Sequence, residues 1–185
     1  MTSIQTTENL AYHAARVLIL IRFCGKPRQK SPNILPGIQG RTLLAKLDFF
    51  LRYPGYLKRA AKILKEDLSD EELGLFPDFE INNVESRMIR YLYGPWDNIY
   101  YTTLAYLVGK GLVTIEKSKG VEIFRITQVG YEIADQLADN SEYKDLTRRA
   151  DTMYHLFNRY SGSRLKDFIY AYFPEVVNRG LGETI

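Results

Sequence analysis

Few side chains in this 185-residue chain are of the types that make or break bonds, and their spacing does not gather them. The two histidines, His13 and His155, each sit inside a helical stripe, where an imidazole is more often packed or partly exposed than catalytic. Cys24 follows an apolar run and reads as core, and a lone cysteine excludes an internal disulfide. No HExxH, CxxC or EF-hand spacing occurs, so neither a metal nor another cofactor is expected. Gly109-Lys110-Gly111 follows a helical stretch, where glycine is a stop signal. A phosphate cradle needs several backbone amides at a helix start instead. Ser161-Gly162-Ser163 reads as a turn, not a nucleophile elbow. The expectation is a protein that is not an enzyme.

Binding chemistry is better represented. The net charge of +3 conceals an asymmetry: from Arg22 to Lys65 there are eleven Lys and Arg against one acid, Asp48, while from Glu66 onward thirteen basic residues face twenty acidic ones. Such a division either creates a directional basic surface or lets the two parts neutralise each other in the fold. Lys58, Lys62 and Lys65 recur at helical spacing with Arg59 beside them, and these four are the expected non-specific contact to duplex DNA phosphates. Fourteen tyrosines and nine phenylalanines form the second resource. Tyr91, Tyr93 and Trp96, close to Tyr100, Tyr101 and Tyr106, are expected near an exposed aromatic surface that anchors a partner; the other readings are a core rimmed by tyrosines and base stacking on a single strand.

The elements that must carry these residues are mostly helical. Leu10, Ala14, Val17, Leu18 and Ile21 predict a buried helix from about Thr7 to Phe23. Cys24 to Arg41 is proline- and glycine-rich, basic and expected to be a long loop. Helices follow at Thr42 to Arg52 and Tyr56 to Lys65, broken by Tyr53-Pro54-Gly55. Glu85 to Tyr93 reads as a helix or an extended lead-in stopped by Gly94-Pro95, and Ile99 to Val108 as a short helix with Leu104, Leu107 and Val108 inward. Leu112 to Glu116 and Val121 to Thr127 alternate around Lys117-Ser-Lys-Gly120, a β-hairpin signal, and Gln128 to Leu137 returns to helix. Ser141 is a plausible cap for a helix striped by Tyr143, Leu146, Ala150, Met153, Tyr154 and Phe157, and a last helix runs through Leu165 to Phe173. Helix, turn, helix, hairpin, helix is the winged-helix order. The expected fold is therefore mostly α with a small β-hairpin wing: a winged-helix core plus flanking helices. Its expected partition is a basic helical region 1–83, a winged-helix domain 84–140 and C-terminal helices 141–185.

The helix that would enter a major groove, Ile99 to Val108, has no Arg, Lys, Asn or Gln. Direct base readout uses those side chains and phosphate contact uses cations. A winged helix without them suits docking onto protein. No run is long enough to span a bilayer and no signal segment opens the chain, so a cytoplasmic protein with no membrane association is expected.

Two stretches carry a resemblance. Gly40-Arg-Thr-Leu-Leu-Ala-Lys-Leu-Asp-Phe-Phe-Leu-Arg-Tyr-Pro54 and Glu85-Ser-Arg-Met-Ile-Arg-Tyr-Leu-Tyr-Gly-Pro-Trp-Asp97, continued through Tyr100 to Leu112, resemble the small middle component of bacterial ABC three-component systems, the Lamassu-type defence operons. The resemblance implies a non-enzymatic accessory subunit that docks on an SMC-like or Rad50-like ATPase and a nuclease effector in defence against phage or plasmid DNA. It carries over no catalytic residue. The alternative is a stand-alone winged-helix DNA-binding transcriptional regulator.

Overall fold

The computed structural model describes residues 2–27, 34–64 and 88–185, with side chains from residue 10 onward. In chain order the elements are α1 (Thr2–Cys24), β1 (Gly37–Gln39), α2 (Arg41–Arg52), α3 (Pro54–Leu64), β2 (Ile89–Tyr91), β3 (Gly94–Trp96), α4 (Ile99–Gly109), β4 (Val113–Ser118), β5 (Val121–Ile126), α5 (Gln128–Asp139), a 3-10 turn (Ser141–Tyr143), α6 (Lys144–Phe157), α7 (Gly162–Tyr172) and α8 (Pro174–Val177). The fold is mostly helical with two small antiparallel sheets. No described helix is long and apolar enough to cross a membrane. Contacts divide the chain into two units, each made from two separated stretches: Met1–Gly40 with Asn98–Thr147, and Arg41–Asp97 with Arg148–Ile185. This interleaved division differs from the linear partition at residues 84 and 141, and one boundary falls inside α6.

The first unit joins α1, α4 and α5 to the sheet β1-β5-β4. The consecutive apolar residues Val17 to Ile21 leave α1 no polar side, and all five are buried. The β4–β5 hairpin forms where alternation placed it. Lys119 and Gly120, both at positive φ, make its two-residue turn, the geometry that matches strand twist. β1 lies inside the stretch read as loop. It pairs Ile38 with Phe124 and Gln39 with Ile123, and the buried Arg125 guanidinium donates to the Leu35 carbonyl just before it. Thr127 caps α5 by accepting from the Gly130 amide at 3.0 Å. Gly130 lets α5 approach the chain entering β4, since a Cβ there would lie 2.0 Å from the Leu112 oxygen. The cap after α5 is Asn140, whose side chain accepts from the Glu142 amide, not Ser141.

The second unit packs α2, α3, α6, α7 and α8 around aromatic rings. Phe50 meets Phe157 at 4.8 Å and Phe173 at 5.9 Å between centroids, and Phe49 meets Tyr53 and Tyr56 at 5.1 and 4.9 Å. Much of the chain's aromatic content is thus core. β2 and β3 form a tight hairpin, so the lead-in to Gly94 is a strand from Ile89 onward, and Gly94-Pro95 continues the hairpin instead of ending an element. Backbone bonds from Gly182 and Ile185 to the Arg90 and Met88 carbonyls cover the other edge of β2. The Tyr53 hydroxyl accepts from the Met88 amide at 2.9 Å and donates to the Ile185 carbonyl at 3.4 Å.

Candidate functional site

Lys62 is exposed and Lys58 half-buried, while Lys65 lies outside the described residues. Arg59 pairs with Glu175 and its guanidinium lies 4.9 Å from the Phe173 ring and 5.4 Å from Tyr56, so it fastens α3 to α8. Burial first, then the charge of Glu175, pushes the Tyr56 phenol above its ordinary value. Other cations of the basic stretch are likewise matched within their own unit. Arg22 donates to Asp135 at 2.9 Å and lies 3.8 Å over the Tyr131 ring. Arg52 sits between Asp97 at 2.9 Å and the fully buried Asp48 at 3.6 Å. Three of the eleven cations, Arg22, Arg52 and Arg59, are thus paired with acids from later in the chain.

Helix α2 is buried from Leu44 to Arg52, on every side. The charged residues Lys46, Asp48 and Arg52 give no reason in the sequence to expect burial on every side. The one usable signal was the i,i+4 spacing of Asp48 and Arg52. Lys46 is 2% exposed and donates to the Thr42 carbonyl at 3.1 Å. Burial chiefly, with Lys166 second, lowers its pKa to about 8 against partial opposition from Asp167.

The aromatic candidates separate. Trp96 is only 8% exposed and belongs to the core of the second unit, which corrects its expected place on the surface; a flat apolar ring between β3 and its neighbours is worth more inside than out. Its ring supports that of Tyr91, 5.9 Å away. Tyr91, Leu92 and Tyr93 at the hairpin tip are exposed, Tyr93 by 58%.

On α4, in the first unit, Tyr100, Thr103, Leu104 and Leu107 are buried. Tyr101 (56% exposed), Thr102, Ala105 and Val108 point outward. Val108 therefore leaves the expected inward stripe, one residue past Leu107 on the helix turn. None of the eleven residues of α4 is charged. Beyond it, Lys110 lies 5.6 Å from the Tyr106 ring. On the wing, Glu116 is held by Arg125 at 2.9 Å, Lys117 stands opposite Glu122, and Lys119 is exposed at the turn.

The groups capable of chemistry stay dispersed. His13 is buried and its Nδ1 accepts from Arg16 at 2.8 Å, which favours the neutral ring. His155 is exposed, 3.7 Å from Asp151 on its own helix. Cys24 is buried. Among the described residues no group of three His, Cys, Asp or Glu could hold a metal ion. Compared with protein-family models, curated proteins and solved structures, the chain matches none of them.

Proposed function

We propose that this chain is a winged-helix accessory subunit that docks on an SMC-like ATPase and its nuclease effector in bacterial antiphage or antiplasmid defence. The winged-helix reading of the first unit rests on element order and on the sheet order β1-β5-β4, in which a strand following α1 pairs with the hairpin following α4. The observation that carries the docking reading is the outward face of α4. In the position where a DNA-reading helix would present Arg, Lys, Asn or Gln, it presents Tyr101, Thr102, Ala105 and Val108. An uncharged, partly aromatic face gains by leaving water for a protein surface and gains nothing from phosphates. The same feature counts against the stand-alone transcriptional regulator. The identity of the partner rests on the sequence resemblance at residues 40–54 and 85–112.

Any duplex contact of this subunit is assigned to α3, through Lys62 and Lys58, and is independent of base sequence. The neighbouring genes test the partnership: an adjacent ATPase with coiled-coil heptads supports it, and a solitary gene contradicts it. Lys62→Glu tests the DNA contact. It is expected to weaken duplex binding and flatten its salt dependence by about one phosphate contact; unchanged binding, with loss on Lys117→Glu and Lys119→Glu instead, places the contact on the wing.

A further inference from the structure

The β2–β3 hairpin ends in three consecutive large apolar side chains, Tyr91, Leu92 and Tyr93, all exposed. With Tyr91 paired to Gly94, the two turn residues are Leu92 and Tyr93. Neither turn residue has positive φ, so the turn does not demand Asn, Asp or Gly, and the exposed side chains of Leu92 and Tyr93 contribute little burial to the fold. The tip is nonetheless held from beneath. The Tyr170 hydroxyl donates to the Leu92 carbonyl at 3.1 Å, and Arg90 donates to the carbonyls of Tyr91 and Val177. The Tyr91 ring rests on buried Trp96. Gly94 closes the turn at φ +116 above the Lys46 stem, where a Cβ would lie 3.6 Å from Cε. A ring ordered in advance, as Tyr91 is by Trp96, costs a ligand little to engage.

Positive charge predominates beneath this tip. The Arg90 guanidinium is 5.9 Å and the Lys166 ammonium 5.7 Å from the Tyr170 ring. Lys46 lies close enough to Lys166 for their charges to oppose each other. Arg90 and Lys46 bond carbonyl oxygens; Arg90 makes no ion pair with a carboxylate among the described residues, and Lys46 feels the charge of Asp167. The acids nearby are Asp167, 3.3 Å from Lys166, and Glu183, whose side chain takes the Gly180 amide at 2.8 Å. The complement to exposed rings over a local excess of cations, three against the one carboxylate of Asp167, is a polyanion with flat apolar faces. A single strand offers both in every nucleotide, whereas a duplex hides its base faces in the stack. A protein groove would have to supply carboxylates and apolar surface separately.

We propose that the β2–β3 hairpin binds single-stranded nucleic acid, with Tyr91 and Tyr93 stacking on bases and Arg90 and Lys166 facing the phosphates. This goes beyond the docking function and does not depend on it. The test is fluorescence anisotropy of labelled oligothymidine and of a blunt duplex with the full chain and its variants. The single strand binds more tightly than the duplex. Tyr93→Ala weakens single-strand binding by about ten-fold without lowering the melting temperature, Tyr93→Phe retains it, and Lys166→Gln flattens its salt slope. Absence of single-strand binding by the wild type overturns the proposal. So does equal loss on both nucleic acids, Tyr93→Phe behaving like Tyr93→Ala, or Tyr93→Ala impairing only capture of a protein partner. Lys62→Glu reports the α3 contact separately, so the failure of one site is distinguishable from that of the other.

Discussion

The first unit fills its interior chiefly with aliphatic side chains, Val17 to Ile21, Ile38, Leu104, Leu107, Val113 and Ile126, and the cations it buries, Arg16 and Arg125, lean on His13, Glu116 and the Leu35 carbonyl with no fully buried carboxylate among them. The second fills its interior with rings and takes charge inside with them: Asp48, Arg52 and Lys46 are all buried. A core containing ions answers to whether each charge keeps its partner, because the desolvation cost persists after the partner is gone. The two units should therefore fail in different ways when cut.

The largest effect is expected from Arg52→Ala, which leaves the fully buried Asp48 carboxylate without its arginine. Loss of one member of a buried pair costs about 3–5 kcal/mol, read by denaturant unfolding followed through the single tryptophan, Trp96. A cost no greater than that of a surface substitution would erase the contrast between the units. Trp96→Ala comes next. Trp96 is core, so the variant should lose about 3–5 kcal/mol by circular dichroism, whereas a variant as stable as the wild type would return Trp96 to the surface.

A subtler difference is expected at Lys46. Its folded value of about 8 lies below the ordinary 10.5, so the folded protein releases this proton before the unfolded chain does. The charged form is penalised in full below pH 8, and that penalty fades as pH rises from 8 to 10.5. Lys46→Met should thus be the more stable protein at pH 7, with its advantage shrinking across that window. An advantage that stays constant, or a less stable variant at pH 7, would show that Lys46 carries no such penalty.

The first unit was the more legible of the two in sequence, for a physical reason. Its hairpin and α5 come from local signals: alternation, the Lys119-Gly120 turn, and Thr127 ahead of the helix. Its β1 was missed because three residues show no alternation and their partner strand lies far along the chain. In the second unit almost every decisive contact joins residues 41–97 to 148–185, such as Phe50 to Phe157 or Tyr53 to Ile185, and no local pattern announces them. Pro95 read as a breaker, yet an edge strand of a two-stranded sheet tolerates a residue without an N–H. At the candidate surfaces, adjacent tyrosines had opposite fates: Tyr100 is fully buried and Tyr101 exposed. A helical stripe narrows such a choice to a face, but which of two neighbours leads it depends on the angle at which the helix docks.

The most direct test of the proposed role is co-purification of the chain with a co-expressed SMC-like ATPase from its own gene neighbourhood, comparing the wild type with Tyr101→Glu combined with Val108→Glu. Both positions are exposed on α4, so the variant should melt as the wild type does. Carboxylates placed in an apolar contact should abolish the complex, since aromatic anchors are each worth about 2 kcal/mol or more at an interface. A complex that survives both substitutions, with the protein folded, would contradict docking through α4.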